Sequence, residues 1–151
     1  MDILRIMIGA LVGTTMMTIF SYLISVGFQK LYKEPVLLKY LLLKAGASLT
    51  KKETAAGGWI LHYAIGILFA VLFILIMGVS WLQQPDLLSA ILFGLVTVLF
   101  PFLIMQPCLG MGFFASKTAK PWQACLKSSA VHTLFGVGLV MSIQLLNVLG
   151  A

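Results

Sequence analysis

The sequence predicts an all-α fold: a polytopic membrane protein built as a four-transmembrane-helix bundle, with a short interfacial helix in its first cytoplasmic loop. Three observations carry this. The 151 residues are 61% hydrophobic and 9% charged, whereas soluble domains hold near one quarter charged residues. Four apolar runs, residues 3–28, 59–80, 87–114 and 129–150, contain no Asp, Glu, Lys or Arg except Arg5 at the outer edge of the first. At about 1.5 Å of rise per residue, each run exceeds the roughly 30 Å hydrocarbon thickness. Finally, nine of the ten Lys and Arg residues fall in just two of the gaps between runs. One integral membrane domain over 1–151 is the expected organisation.

The first run is longer than the core of a secretory signal and no small-residue cleavage site follows before Gln29 and Lys30, so it reads as a retained span. Thr14, Thr18, Ser21, Tyr22 and Ser25 fall on one helical face, which is expected to turn inward. Such a face serves either as a polar cavity lining or as close interhelical packing, where hydroxyls and small residues let backbones approach. Gly9 and Gly13 form a further small-xxx-small pair.

The gap from Gln29 to Gly58 holds Lys30, Lys33, Lys39, Lys44, Lys51 and Lys52, and the gap after Phe114 holds Lys117, Lys120 and Lys127. The connection from Trp81 to Asp86 has none, and Arg5 alone lies on that side. Cationic loops stay cytoplasmic, so both termini are expected outside the cytoplasm. The net charge of +6 then needs no nucleic acid. Lys39, Lys44, Lys51, Lys52, Lys117, Lys120 and Lys127 are expected to meet anionic lipid headgroups, at about 1 kcal/mol each.

Within the first cytoplasmic gap, Pro35 suits a helix start, and the leucine-rich stretch to Leu43 is too short to span. Thr50 followed by Glu53 has the pattern of a capping box, placing the start of the second membrane helix inside the cytoplasm. Gly57 and Gly58 are expected to interrupt it again. Trp59, Trp81 and Trp122 sit at span edges, where amphipathic rings favour the headgroup layer.

In the third run, Pro101 and Pro107 each remove a backbone donor and disturb the carbonyl four residues earlier, those of Thr97 and Leu103. Either the helix breaks near Gln106, Pro107 and Cys108 and offers carbonyls to an ion or substrate, or it simply kinks. A weak echo links the starts of runs two and four: His62-Tyr63-Ala64-Ile65-Gly66 against His132-Thr133-Leu134-Phe135-Gly136. If it reflects a repeat, two helical hairpins share one orientation about an axis along the membrane normal.

The chemistry available inside the bilayer is restricted to His62, His132, Tyr22, Cys108 and neutral polar groups. His62 and His132 lie at similar depth, Gln106 approaches the same layer from the third run, and Ser21, Tyr22 and Ser25 approach it from the first. This candidate site reads in three ways: a binding or passage site for a small solute or ion, a haem or metal site at His62 and His132, or structural hydrogen bonding between helices. No cofactor is predicted, because no Cys or His pair has close ligand spacing. Cys108 and Cys125 are on the reducing side and make no disulfide framework. No dependable acid–base or nucleophile pair is present, so an enzyme is not expected. A rival class is an accessory subunit packed against a larger membrane partner or a second copy of the chain.

The blocks Gly58-Trp59-Ile60-Leu61-His62-Tyr63-Ala64-Ile65-Gly66, Met105-Gln106-Pro107-Cys108-Leu109-Gly110-Met111-Gly112, Ala115-Ser116-Lys117-Thr118 and His132-Thr133-Leu134-Phe135-Gly136 resemble a bacterial family of small membrane proteins, domain of unknown function 2938. The resemblance covers runs two to four well and run one loosely, and the first cytoplasmic gap is shorter than in the family. It implies a bacterial inner-membrane protein with four helices and without an assigned activity.

Overall fold

The computed structural model describes residues 2–25 and 33–150. The end of the first run through Phe28, together with Gln29 and Lys30, lies outside the described residues. All regular structure among the described residues is helical: α1 Asp2–Ile24, α2 Glu34–Lys44, α3 Lys51–Met77, α4 Leu87–Thr97, the short α5 Gln106–Cys108, and α6 Pro121–Val148. Four helices are long and apolar enough to cross a membrane, Asp2–Ile24, Lys51–Met77, Leu87–Cys108 and Pro121–Val148.

Boundaries follow local chemistry. Thr50 and Glu53 form the reciprocal capping box, so α3 starts eight residues before Trp59. Pro121 occupies the first turn of α6 and starts it well before Ser129. The third span ends at Cys108 and not at Phe114, because Gly110 and Gly112 follow with φ of 81° and 75°, a left-handed backbone that terminates a helix. At the opposite end Asp86 caps α4, accepting from the Ser89 amide at 2.9 Å. The Ser89 hydroxyl and amide hold the Asp86 carboxyl below the usual carboxylate range.

Between α4 and α5 the chain passes through a π-helical turn, Pro101–Met105. Pro101 has no N–H for the Thr97 carbonyl, and the helix widens there, about one turn before the expected break at Gln106 to Cys108.

Small residues set the helix crossings, as membrane packing requires. α1 lies on α6 where a Cβ on Gly13 would stand 2.8 Å from the Phe135 carbonyl oxygen, and one on Gly138 would stand 2.8 Å from the Gly13 Cα. α4 meets α6 where Gly136 backs onto the Ala90 carbonyl and Gly94 onto the His132 carbonyl. α1 meets α3 where Gly66 backs onto the Thr14 hydroxyl. Gly57 and Gly58 do not interrupt α3: a Cβ on Gly58 would strike the Pro35 carbonyl of α2, so the pair is the seat for that short helix. The apolar face of α2 packs Leu37 and Leu38 against Met105, Leu61 and Ile65. The backbones of α3 and α4 stay apart, and Phe69 meets Phe100 edge-on at 6.0 Å across the gap.

Trp81 is no headgroup anchor. It is buried, edge-on to Phe73 at 4.7 Å, and its indole N–H donates to the Ser89 hydroxyl at 2.9 Å. Asn147 of α6 ties the same connection down by donating to the Leu82 carbonyl at 2.8 Å. The lysine-poor end is therefore closed by side-chain hydrogen bonds.

Candidate functional site

The gap left between α3 and α4 becomes a cavity of about 40 Å³ in the lysine-rich half of the bundle, room for on the order of three waters. Every long element contributes: Met17 from α1, Glu34 from α2, His62 and Gly66 from α3, Phe100 and Pro101 from the widened segment after α4, and His132 from α6. Both imidazoles stand eleven residues beyond the first residue of their helix, Lys51 and Pro121, which brings them to one level.

Each ring is held by a threonine of the antiparallel neighbour. Thr18 Oγ1 lies 2.8 Å from His62 Nε2 and donates its proton to the Thr14 carbonyl at 2.6 Å. Thr97 Oγ1 lies 2.8 Å from His132 Nδ1 and donates to the Gly94 carbonyl at 2.7 Å. All four side chains are buried. A hydroxyl has one proton to give. With that proton on a carbonyl, each threonine is left to accept from the imidazole, and the network assigns the ring proton to Nε2 of His62 and to Nδ1 of His132.

The third polar group in the lining is Glu34. Its Oε1 accepts from Lys127 Nζ at 3.3 Å, while Oε2 is buried without a hydrogen-bond partner. This corrects the expectation for Lys127, which is 8% exposed and turned inward beneath α2. The physical reason is the early start of α6: with Pro121 as its first residue, Lys127 falls one turn before Val131 on a helix face that packs inside the bundle. Lys44 also departs from a purely lipid-facing role, since its ammonium donates to the Cys108 carbonyl at 3.0 Å. Lys51, Lys52, Lys117 and Lys120 are exposed and Lys39 is half-buried.

The remaining candidates divide. Gln106 is buried at 3% exposure and its Oε1 has no partner, but it does not line the cavity. Ser21 and Ser25 are buried one and two turns beyond Thr18, and Ser25 donates to the Tyr22 carbonyl at 2.8 Å. Tyr22 lies outside the cavity beneath the Lys33 ammonium, 4.2 Å from its ring centre, and against Trp59. Cys108 is exposed, and its side chain does not join the layer; it follows Pro107 in the last helical turn, where the chain leaves the bundle. Among the described residues no three His, Cys, Asp or Glu side chains converge closely enough to hold a metal ion.

Sequence reasoning missed Glu34, Thr97 and the inward turn of Lys127. One signal was available: only four acidic residues exist, and Glu53 and Asp86 both serve helix starts. Glu34, beside the helix-starting Pro35, therefore merited attention.

A family model described as protein of unknown function (DUF2938) matches residues 39–146. No curated protein and no solved structure matches the chain.

Proposed function

This chain belongs to the DUF2938 family of proteins of unknown function, and from its own geometry we propose that it binds, or passes, a small molecule or ion in the cavity between His62 and His132. The observation that carries the reading is a cavity touching both imidazoles and a carboxylate. Purely structural histidines would be surrounded by packed side chains, without room for a solute. The lysine distribution supports a cytoplasmic position for α2 and the cavity end, with both termini on the other side. The setting proposed is an inner membrane.

Binding here is not enzymatic. The lining offers no nucleophile beside a base, and the imidazoles are occupied as donors to hydroxyls that are themselves committed to carbonyls. The test is native mass spectrometry of detergent-purified protein, comparing the natural chain with Ile65→Trp, which fills the cavity. The expected result is a small solute retained by the natural chain and lost from the variant. Identical spectra from both would contradict the reading.

A further inference from the structure

We infer that the cavity selects a small cation bearing N–H donors, of the ammonium or primary-amine class. This rests on the reading of the cavity as a solute site and names what that site accepts. The argument is an inventory of protons. With Thr18 and Thr97 each donating to a helix carbonyl, the 2.8 Å contacts require His62 to spend its N–H on Thr18 and His132 to spend its N–H on Thr97. In the neutral rings His62 Nδ1 and His132 Nε2 are then lone-pair acceptors, and neither has a hydrogen-bond partner among the described residues. Glu34 Oε2 is a third acceptor, buried and without a partner.

Among the described residues these are the only polar side chains in the lining; the rest is Gly66, Pro101 and apolar side chains, including Phe69, Phe100 and Phe135. No donor remains unspent among the lining side chains, and the unpartnered Thr14 hydroxyl stands behind Gly66, outside the lining, so an anion would find little to bind. An ammonium group carries only donors, which these acceptors take up: lone pairs on the two rings and the carboxylate oxygen that Lys127 leaves unpaired; it also gains from the aromatic faces. Potassium carries the same charge but prefers a shell of oxygens, which two imidazole nitrogens do not supply. A transition metal needs its ligands within coordination distance of one point, and these groups do not converge so closely. The size agrees: about 40 Å³ suits a water-sized ion or a few waters.

The experiment measures equilibrium binding of radiolabelled methylammonium to the detergent-purified full chain, with unlabelled ammonium, potassium and formate as competitors at fixed ionic strength. Saturable binding displaced by ammonium, and not by potassium or formate, is expected. Two variants take the acceptor away from its ring position while keeping the bond to threonine: His62→Gln, whose amide nitrogen replaces Nε2–H and whose carbonyl oxygen does not reach the place of Nδ1, and His132→Asn, whose amide nitrogen replaces Nδ1–H and whose carbonyl oxygen does not reach the place of Nε2. Each should weaken methylammonium about tenfold or more, the effect of one charge-assisted hydrogen bond. Displacement by potassium as effective as by ammonium, or unchanged affinity in both variants, would overturn the inference. Saturable binding of labelled formate in place of methylammonium would overturn it too while leaving a solute site standing. If methylammonium fails and mass spectrometry also finds no solute, the site reading itself falls.

Discussion

The hairpins α1–α3 and α4–α6 close on the cavity with one device used in two ways. In each, an imidazole bonds a threonine on the neighbouring helix, and a glycine four residues later lets the helices approach: His62 and Gly66 in the first, His132 and Gly136 in the second. They differ in which ring nitrogen holds the threonine and in what the glycine meets. Gly66 faces a hydroxyl and Gly136 faces a backbone carbonyl. A hydroxyl on a rotatable side chain can move aside and a carbonyl locked in a helix cannot. The second hairpin is thus the rigid wall of the site, and the first can adjust. Opposite nitrogens bound to threonine leave one nitrogen of each ring without a partner among the described residues, and both rings border the same cavity.

The largest effect should separate the glycines. Gly136→Ala forces a methyl into the Ala90 carbonyl and should cost about 3 kcal/mol, the upper part of the overpacking range, while Gly66→Ala should cost about 1 kcal/mol as Thr14 rotates. Unfolding from mixed micelles in denaturant, read by circular dichroism, gives both values. Equal costs would show that the hairpins do not differ in rigidity.

Next comes a reversal in the ring substitutions. His62→Gln should be more stable than His62→Asn, whereas His132→Asn should be more stable than His132→Gln, because only the first of each pair keeps a donor where threonine accepts. A buried threonine oxygen left without its donor costs about 1 to 3 kcal/mol. The same ranking at both positions in thermal melts would mean that the two rings are held alike.

The smallest effect lies at the lysine-poor end. The Ser89 hydroxyl and amide lower the Asp86 carboxyl from its ordinary value. A depressed folded-state value contributes stability above the unfolded-state value, and that contribution is lost as pH falls through the folded one. Melts of the natural chain against Asp86→Asn should therefore converge as pH falls through and below the normal Asp range. A constant difference down to the most acid pH would remove Asp86 from the account.

How much of this was legible in the sequence follows from the range of each interaction. Hydropathy and the lysine gaps report the four membrane-capable helices, since both act along the chain. The Thr50–Glu53 box and Pro35 mark helix starts through contacts three or four residues apart, and α3 and α2 begin where those signals stand. His62 and His132 were legible as ionisable groups inside apolar runs. Thr97, Glu34 and Lys127 were not, because their roles arise from partners 35 and 93 residues away in sequence. Gly57 and Gly58 misled for a related reason: glycine weakens an isolated helix, but against a crossing helix it is the residue that lets α2 sit. Trp81 read as a headgroup anchor because its partners, the half-buried Ser89 and the buried Phe73, lie on two different helices.

The most direct measurement is nitrogen NMR of ring-labelled histidine in lipid nanodiscs, with His62→Gln and His132→Asn supplying the assignments. The account predicts two neutral rings of opposite tautomer, His62 protonated at Nε2 and His132 at Nδ1. Two rings of the same tautomer, or two rings protonated at both nitrogens at neutral pH, would contradict it.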